Sequence, residues 1–166
     1  MPDYIAVVEE RTYSYTGLFN INHTYNYVKR YLGDVKEYTV REKDYEEIND
    51  KGKRKVRGVI IANTPFTDEY EKEIRYEIIL EGTDISAEID GKIQNICKGS
   101  ARLIINAYIK PEPLRKRGEP GWREFLGNIW RKYFNQDEFS QCWGSIKGDV
   151  QDTIDRFKQV LNATVK

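Results

Sequence analysis

The sequence has few of the residues that build disulfide-linked, metal-bound or membrane-embedded proteins. Among its 166 residues there are two cysteines, one histidine and one methionine. Cys97 and Cys142 are too few for a disulfide framework, and they lack the spacing of a metal site. No apolar run approaches the roughly 18 residues that predict a membrane span. The sequence also does not begin with the positively charged segment and apolar run that are typical of a secretory signal. We therefore expect a cytoplasmic protein without integral membrane association.

An excess of charge of either sign is also missing. Lys+Arg and Asp+Glu each number 27, so the formal net charge is zero. Without an excess of positive charge no long-range field attracts nucleic acid, and we predict no nucleic-acid partner. Two basic clusters, at 51–57 and 115–117, have acidic residues close by and are interpreted as solvated surface. The length predicts one domain over residues 1–166 with its own core.

Catalytic motifs are absent as well. The sequence contains no P-loop, nucleophile elbow, dinucleotide fingerprint or HExxH pattern. The single histidine, His23, has no cysteine or acidic cluster at ligand spacing around it, so a capping or solvent-facing role is favoured over a catalytic base. A carboxylate of the first strand, Glu9 or Glu10, is another candidate for a polar group in a cavity, together with Arg11. Because adjacent strand residues point to opposite faces, at most one of the two glutamates can lie there, and exposure to solvent is favoured for both. We predict no cofactor and no metal.

The clearest positive pattern lies in the last part of the chain, roughly residues 137–164. Its apolar residues recur every three or four positions, which is typical of one long amphipathic helix. Asp137 is a candidate N-cap. Gly144 and Gly148 each cost about 1 kcal/mol relative to alanine, so they predict either room for a ligand or a kink or close packing contact. The apolar positions are Phe139, Trp143, Ile146, Val150, Ile154, Phe157 and Leu161.

Six stretches rich in β-branched and aromatic residues precede that helix and predict strands. In residues 70–81 apolar and charged residues alternate, which is typical of a sheet with one buried and one solvated face. Turns are predicted at Glu81–Asp84 and Lys98–Gly99, with Asp90–Gly91 as an alternative two-residue hairpin. Short connections between successive strands indicate an antiparallel meander. The six predicted strands are residues 3–16, 37–48, 54–63, 70–81, 85–96 and 100–110.

Two further helices are predicted. One follows the first strand, with Asn20 or Asn22 as its N-cap and Gly33–Asp34 as its C-cap. The other covers residues 121–134, after a proline-rich loop, and has a wide aromatic stripe. Such stripes at helical spacing usually belong to the core, and otherwise they form the mouth of a pocket or a contact surface.

This order of elements resembles the helix-grip fold of the superfamily of START domains and birch-pollen allergens (SRPBCC). The resemblance rests on YIAVVEERTYSYTG at the start, on the meander from Tyr38 to Ile109, and on GDVQDTIDRFKQVLN near the end. It implies an α+β fold in which a curved antiparallel sheet of about six strands wraps around the C-terminal helix. Helix 121–134 is an addition to that pattern. The resemblance also implies a cavity between helix and sheet for lipids, sterols or polyketides.

Three functions follow as hypotheses. The first is non-enzymatic binding of a small lipid-like or polyketide-like ligand between the C-terminal helix and the sheet. The second is an interaction or structural subunit with a filled core, forming a homodimer through helix 121–134. The third is a cyclase or hydrolase, which is disfavoured because no paired acid and base stand out. For the first hypothesis the predicted ligand-lining residues are Tyr76, Ile78, Leu103, Ile105, Trp143, Ile146, Gly148, Val150 and Ile154.

Overall fold

The structure is a computed structural model that describes residues 4–67, 70–89, 92–111 and 136–163. The described residues form one open, curved antiparallel sheet and two helices, in an α+β arrangement. The strands lie side by side in the order β1-β5-β4-β3-β2. The elements are β1 (Ile5–Phe19), α1 (Ile21–Lys36), β2 (Thr39–Asp50), β3 (Lys53–Pro65), β4 (Tyr70–Ile89), β5 (Lys92–Pro111) and α2 (Gln136–Ala163).

The prediction of six strands is wrong for this part of the chain, which has five. The predicted turns at Glu81–Asp84 and Lys98–Gly99 lie inside β4 and β5, where Gly82 pairs with Gly99. A Cβ atom on either glycine would collide with backbone atoms of the other strand. These two glycines therefore permit close contact between strands rather than a turn. The alternative hairpin agrees with the register, since Ile89 pairs with Lys92 and only two residues join them.

The paired glycines give a matched test on stability. We expect Gly99→Ala to lower the free energy of unfolding by about 1–3 kcal/mol, because rigid backbone must move to admit the methyl group. Gly144→Ala is the control, since an added Cβ meets nothing within 4 Å and alanine favours a helix by about 1 kcal/mol. Urea denaturation followed by circular dichroism measures both. A stability of Gly99→Ala equal to that of the wild type would contradict the close strand contact.

Helix α1 begins where one of the two predicted caps places it. The Asn20 side chain accepts a hydrogen bond from the His23 N–H at 2.9 Å. The predicted C-cap at Gly33–Asp34 is wrong, because the helix continues to Lys36 and ends at Glu37 with φ of 61°. Gly33 instead lies against the side chain of Val40. The chain reversal at Glu37 places the next residue, Tyr38, beneath the C-terminal helix.

Helix α2 packs across the apolar face of the sheet and against α1. It begins at Gln136, so the predicted cap Asp137 lies in its first turn. The predicted stripe is confirmed over most of its length, because its residues from Ile146 to Leu161 are at most 4% exposed. Phe139 and Trp143, near the start of the helix, are only half-buried. Neither of the two described helices contains an apolar stretch of the length and low charge that spanning a bilayer requires.

The predicted aromatic helix at 121–134 lies outside the described residues, and so does the homodimer contact assigned to it.

A polar contact joins α1 to the edge strand β2. The Glu42 carboxylate accepts a hydrogen bond from the Tyr25 hydroxyl at 2.6 Å and pairs with Lys29 at 3.1 Å. Burial by itself raises the pKa of Glu42, but the hydrogen bonds from Tyr25 and Lys29 outweigh it and hold that pKa below its usual 4.5. Because the pKa of Glu42 is lower in the folded state than in the unfolded state, its carboxylate stabilises the protein at pH values above the pKa of the unfolded state.

The Glu42 contact predicts a pH dependence of stability. Glu42→Gln should lower the free energy of unfolding by about 1 kcal/mol or less at pH 7. The difference in free energy of unfolding between Glu42→Gln and the wild type should shrink once the pH falls below about 4.5. It should vanish below the pKa of Glu42 in the folded state, where the native carboxylate becomes protonated. Urea denaturation at several pH values measures this, with Tyr25→Phe expected to show part of the same loss. A difference that grows on acidification would contradict it.

Candidate functional site

A charged cluster lies at one end of the interface between α2 and the sheet. Lys72 occupies β4 in phase with Ile74, Tyr76 and Ile78, so its side chain points to the face that α2 covers. It is only 8% exposed, as is Asp149 of α2. We call Tyr38, Lys72, Ser145 and Asp149 the Lys72 cluster.

The Asp149 carboxylate is the centre of this cluster. Its Oδ2 atom accepts hydrogen bonds from the Tyr38 hydroxyl at 2.5 Å and from the Lys72 ammonium at 2.9 Å. The same ammonium donates to the Ser145 hydroxyl at 3.0 Å. Burying two charges is costly unless they are paired and hydrogen-bonded, and here the contacts come from β4, from α2 and from Tyr38, the residue just before β2. The cluster therefore fixes how α2 lies on the sheet.

A second lysine extends the cluster toward solvent. Lys36, at the end of α1, lies 3.7 Å from Asp149 Oδ1 and 2.8 Å from Asp152 Oδ2. The Asp152 side chain is 47% exposed, whereas those of Lys72 and Asp149 are 11% exposed. Charges thus alternate along a line from Lys72 through Asp149 and Lys36 to Asp152. The buried end of this line is a cation and the solvent end is an anion.

Aromatic side chains surround the buried cation. The Lys72 ammonium lies 5.2 Å from the centre of the Tyr38 ring and 5.5 Å from that of Phe66, distances at which a ring face attracts a cation. Beyond them Tyr70, Phe139 and Trp143 contact one another edge to face or tilted, with centroids 5.7 and 5.9 Å apart. We call Phe66, Tyr70, Phe139 and Trp143 the aromatic rim. Phe66, Phe139 and Trp143 remain half-buried, so the rim meets solvent.

The Tyr38 hydroxyl and the Cys142 thiol keep their protons near neutral pH. Burial raises the pKa of the Tyr38 hydroxyl far above its usual 10, and its hydrogen bond to Asp149 raises it further. Burial also raises the pKa of the Cys142 thiol to about 11. The Ser145 hydroxyl accepts a hydrogen bond from the Lys72 ammonium, and that ammonium also bonds to Asp149. These contacts favour binding and charge placement over nucleophilic catalysis.

Seven of the nine predicted ligand-lining residues come together in the core. They are at most 4% exposed and belong to one cluster of contacting apolar side chains. Trp143 is half-buried in the rim, while Gly148 is exposed and an added Cβ there meets nothing within 4 Å. Gly144 is exposed in the same way. The seven are Tyr76, Ile78, Leu103, Ile105, Ile146, Val150 and Ile154.

Sequence reasoning missed Lys72, Asp149 and Tyr38. A signal for Lys72 was present, because it continues the alternation of Ile74, Tyr76 and Ile78 toward the start of β4. Asp149 directly precedes Val150 and lies within the buried stripe of α2. A charged residue of an amphipathic helix is expected on the solvated face, and the pairing partner, which is 77 positions away in sequence, is not visible in a pattern.

A separate cleft of about 430 Å³ lies where α1 begins, next to β3, β4 and β5. Its lining is mixed, with Asn22, Arg54, Asp84 and Cys97 among the residues. Arg54 is already engaged, since it donates to Glu47 at 2.8 Å and to Asn22 at 3.0 Å. Burial raises the pKa of the Cys97 thiol to about 11. The arginine of this cleft is therefore already paired, and its thiol stays protonated near neutral pH.

Comparison of the chain with protein-family models, with curated proteins and with solved structures found no match. The helix-grip resemblance therefore remains an interpretation of the architecture, and the function has to be argued from the residues.

Proposed function

We propose that this protein binds a small, largely apolar ligand at the end of the α2–sheet interface that carries the aromatic rim, without chemically altering it. The observation that carries the proposal is the contrast between the two parts of that interface. Aliphatic side chains close its middle, whereas its end combines half-buried aromatic side chains with a buried cation. Apolar walls with a few placed polar groups are typical of small-molecule sites.

The middle of the interface argues for a ligand at the rim rather than deeper. Ile78, Leu103, Ile105, Ile146 and Val150 have no measurable exposure. Side chains packed at the density of a protein interior do not separate without cost. A ligand that enters between Phe66, Phe139 and Trp143 displaces little of this packing and buries its own apolar surface at about 25 cal/mol per Å².

A titration with 1-decanol tests the proposal. Saturable binding should perturb the amide NMR signals of Phe66, Phe139 and Trp143, together with the Trp143 indole N–H. Trp143→Ala should weaken binding at least tenfold, because it removes a large part of the contact surface. Tyr45→Ala, which changes a 44%-exposed aromatic on β2, should leave binding unchanged. Failure to saturate, or perturbations confined to other surfaces, would overturn the proposal.

The filled middle of the interface also favours a second candidate, an interaction or structural subunit that takes no ligand. In that case the half-buried aromatic rim serves as a protein contact. Light scattering after size-exclusion chromatography separates the two, because the second candidate predicts self-association that Trp143→Ala weakens. A monomer at millimolar concentration that binds 1-decanol supports the first.

A further inference from the structure

Resting on the proposed function, we infer that the ligand carries a carboxylate, which the Lys72 ammonium binds at the inner edge of the aromatic rim. The ligand class is thus an apolar acid, with its chain against the rim and its charged end toward the cluster.

Lys72 has hydrogen-bonding capacity left. An ammonium carries three N–H donors, and Lys72 uses two, toward Asp149 and Ser145. Its other neighbours among the described residues include the ring faces of Tyr38 and Phe66 and the Cys142 thiol. Ring faces attract a cation but are weaker partners than a carboxylate oxygen. An oxygen acceptor that reaches the ammonium from the rim therefore gains a charge-assisted hydrogen bond.

Asp149 is able to share its lysine. Besides Lys72 it has the Tyr38 hydroxyl at 2.5 Å and Lys36 at 3.7 Å. Removing a cation from a buried carboxylate with no other partner would be prohibitive. Here a second cation and a hydroxyl remain, so Lys72 can turn partly toward a ligand while Asp149 stays compensated.

The order of the charges selects an anion rather than a cation. The line of alternating charges ends on Lys72 at its buried end and on Asp152 at its solvent end. A ligand carboxylate beside Lys72 adds a negative charge next to the terminal positive charge, so every charge in the series has a neighbour of opposite sign. A ligand ammonium at the same place would face Lys72 and be repelled.

Decanoate and 1-decanol, which share their apolar chain, test the inference at pH 7.5, where a carboxylate is ionised. We expect the wild type to bind decanoate at least tenfold more tightly than 1-decanol, because one hydrogen bond between charged groups increases affinity by about that factor. Isothermal titration calorimetry measures both affinities. In Lys72→Met the ratio should fall to about one, because decanoate loses its charge contact. Lys72→Arg, which keeps the charge and the donors, should preserve the preference.

The control is Lys147→Met on the same helix. Lys147 is exposed and lies 6.0 Å from the Trp143 ring, so it is the cation a surface-bound acid would use. Its replacement should leave the ratio unchanged. Should Lys72→Met fail to fold by circular dichroism, the double variant Lys72→Met with Asp149→Leu removes both charges and should show the same ratio of one.

The possible results separate the two proposals. If neither compound binds, the proposed function fails, and the inference fails with it. Equal binding of decanoate and 1-decanol to the wild type would overturn the carboxylate inference alone. A preference that survives Lys72→Met and disappears in Lys147→Met would also overturn it, because the acid would then be held at the surface.

Discussion

Replacing Asp149 with alanine is expected to lower the free energy of unfolding by about 3–5 kcal/mol, the usual cost of breaking a buried ion pair by removing one partner. Lys72, with a side chain only 11% exposed, would lose its carboxylate. The Tyr38 hydroxyl would lose the acceptor that lies 2.5 Å away. Urea denaturation at pH 7, followed by far-ultraviolet circular dichroism, gives the change in stability.

Asp152→Ala is the matched control for this experiment. Asp152 lies on the same helix and contacts the same Lys36, but its side chain is 47% exposed. Exposed pairs contribute about 1 kcal/mol or less, so this variant should remain close to the wild type. The double variant Asp149→Leu with Lys72→Met should regain most of the lost stability, because no buried charge is left unpaired. Equal losses for Asp149→Ala and Asp152→Ala would show that the Lys72 cluster is solvated.

Replacing Phe157 with alanine should cost about 3–5 kcal/mol as well, for an apolar reason. Phe157 is fully buried in α2, and its ring packs edge to face on Tyr13 of β1 with centroids 5.9 Å apart. Truncation removes the buried ring and leaves a cavity, because α2 and β1 cannot move close enough to fill the space. Thermal and urea unfolding should both report the loss.

Gln159→Ala provides the comparison two residues further along α2. Its side chain faces solvent and bonds to Arg156 of the same helix at 3.0 Å. Exposed substitutions of this kind usually stay within about 0.5 kcal/mol of the wild type. If Phe157→Ala were as mild as Gln159→Ala, α2 would not be held by the sheet, and both the fold assignment and the proposed site would lose their basis.

The helices were predictable from sequence because their signals are local. The spacing from Ile146 to Leu161 identifies the buried face of α2, since a helix returns to the same side about every 3.6 residues. Asn20 was one of two predicted caps and is the one that bonds to the first turn. The end of α1 was misplaced because Gly33 appeared to be a cap, whereas it makes room for Val40.

The strand count failed for a reason that no local pattern contains. Glycine permits a turn, and it also permits two backbones to approach closely, so the residue type alone does not separate these roles. Only the pairing of Gly82 with Gly99 decides between them. The same holds for the site, since Lys72 and Asp149 are unremarkable charged residues until β4 and α2 are brought together.

The spacing of residues along the chain was enough to identify the two helical faces, the antiparallel strands and the apolar residues of the core, because each of these depends on near neighbours. The packing of the elements against one another determines which charges are buried and which glycines lie against another strand. It also determines which end of the α2–sheet interface is left to half-buried aromatic side chains. Those features depend on contacts between residues far apart in sequence, and spacing along one element carries no information about its partner.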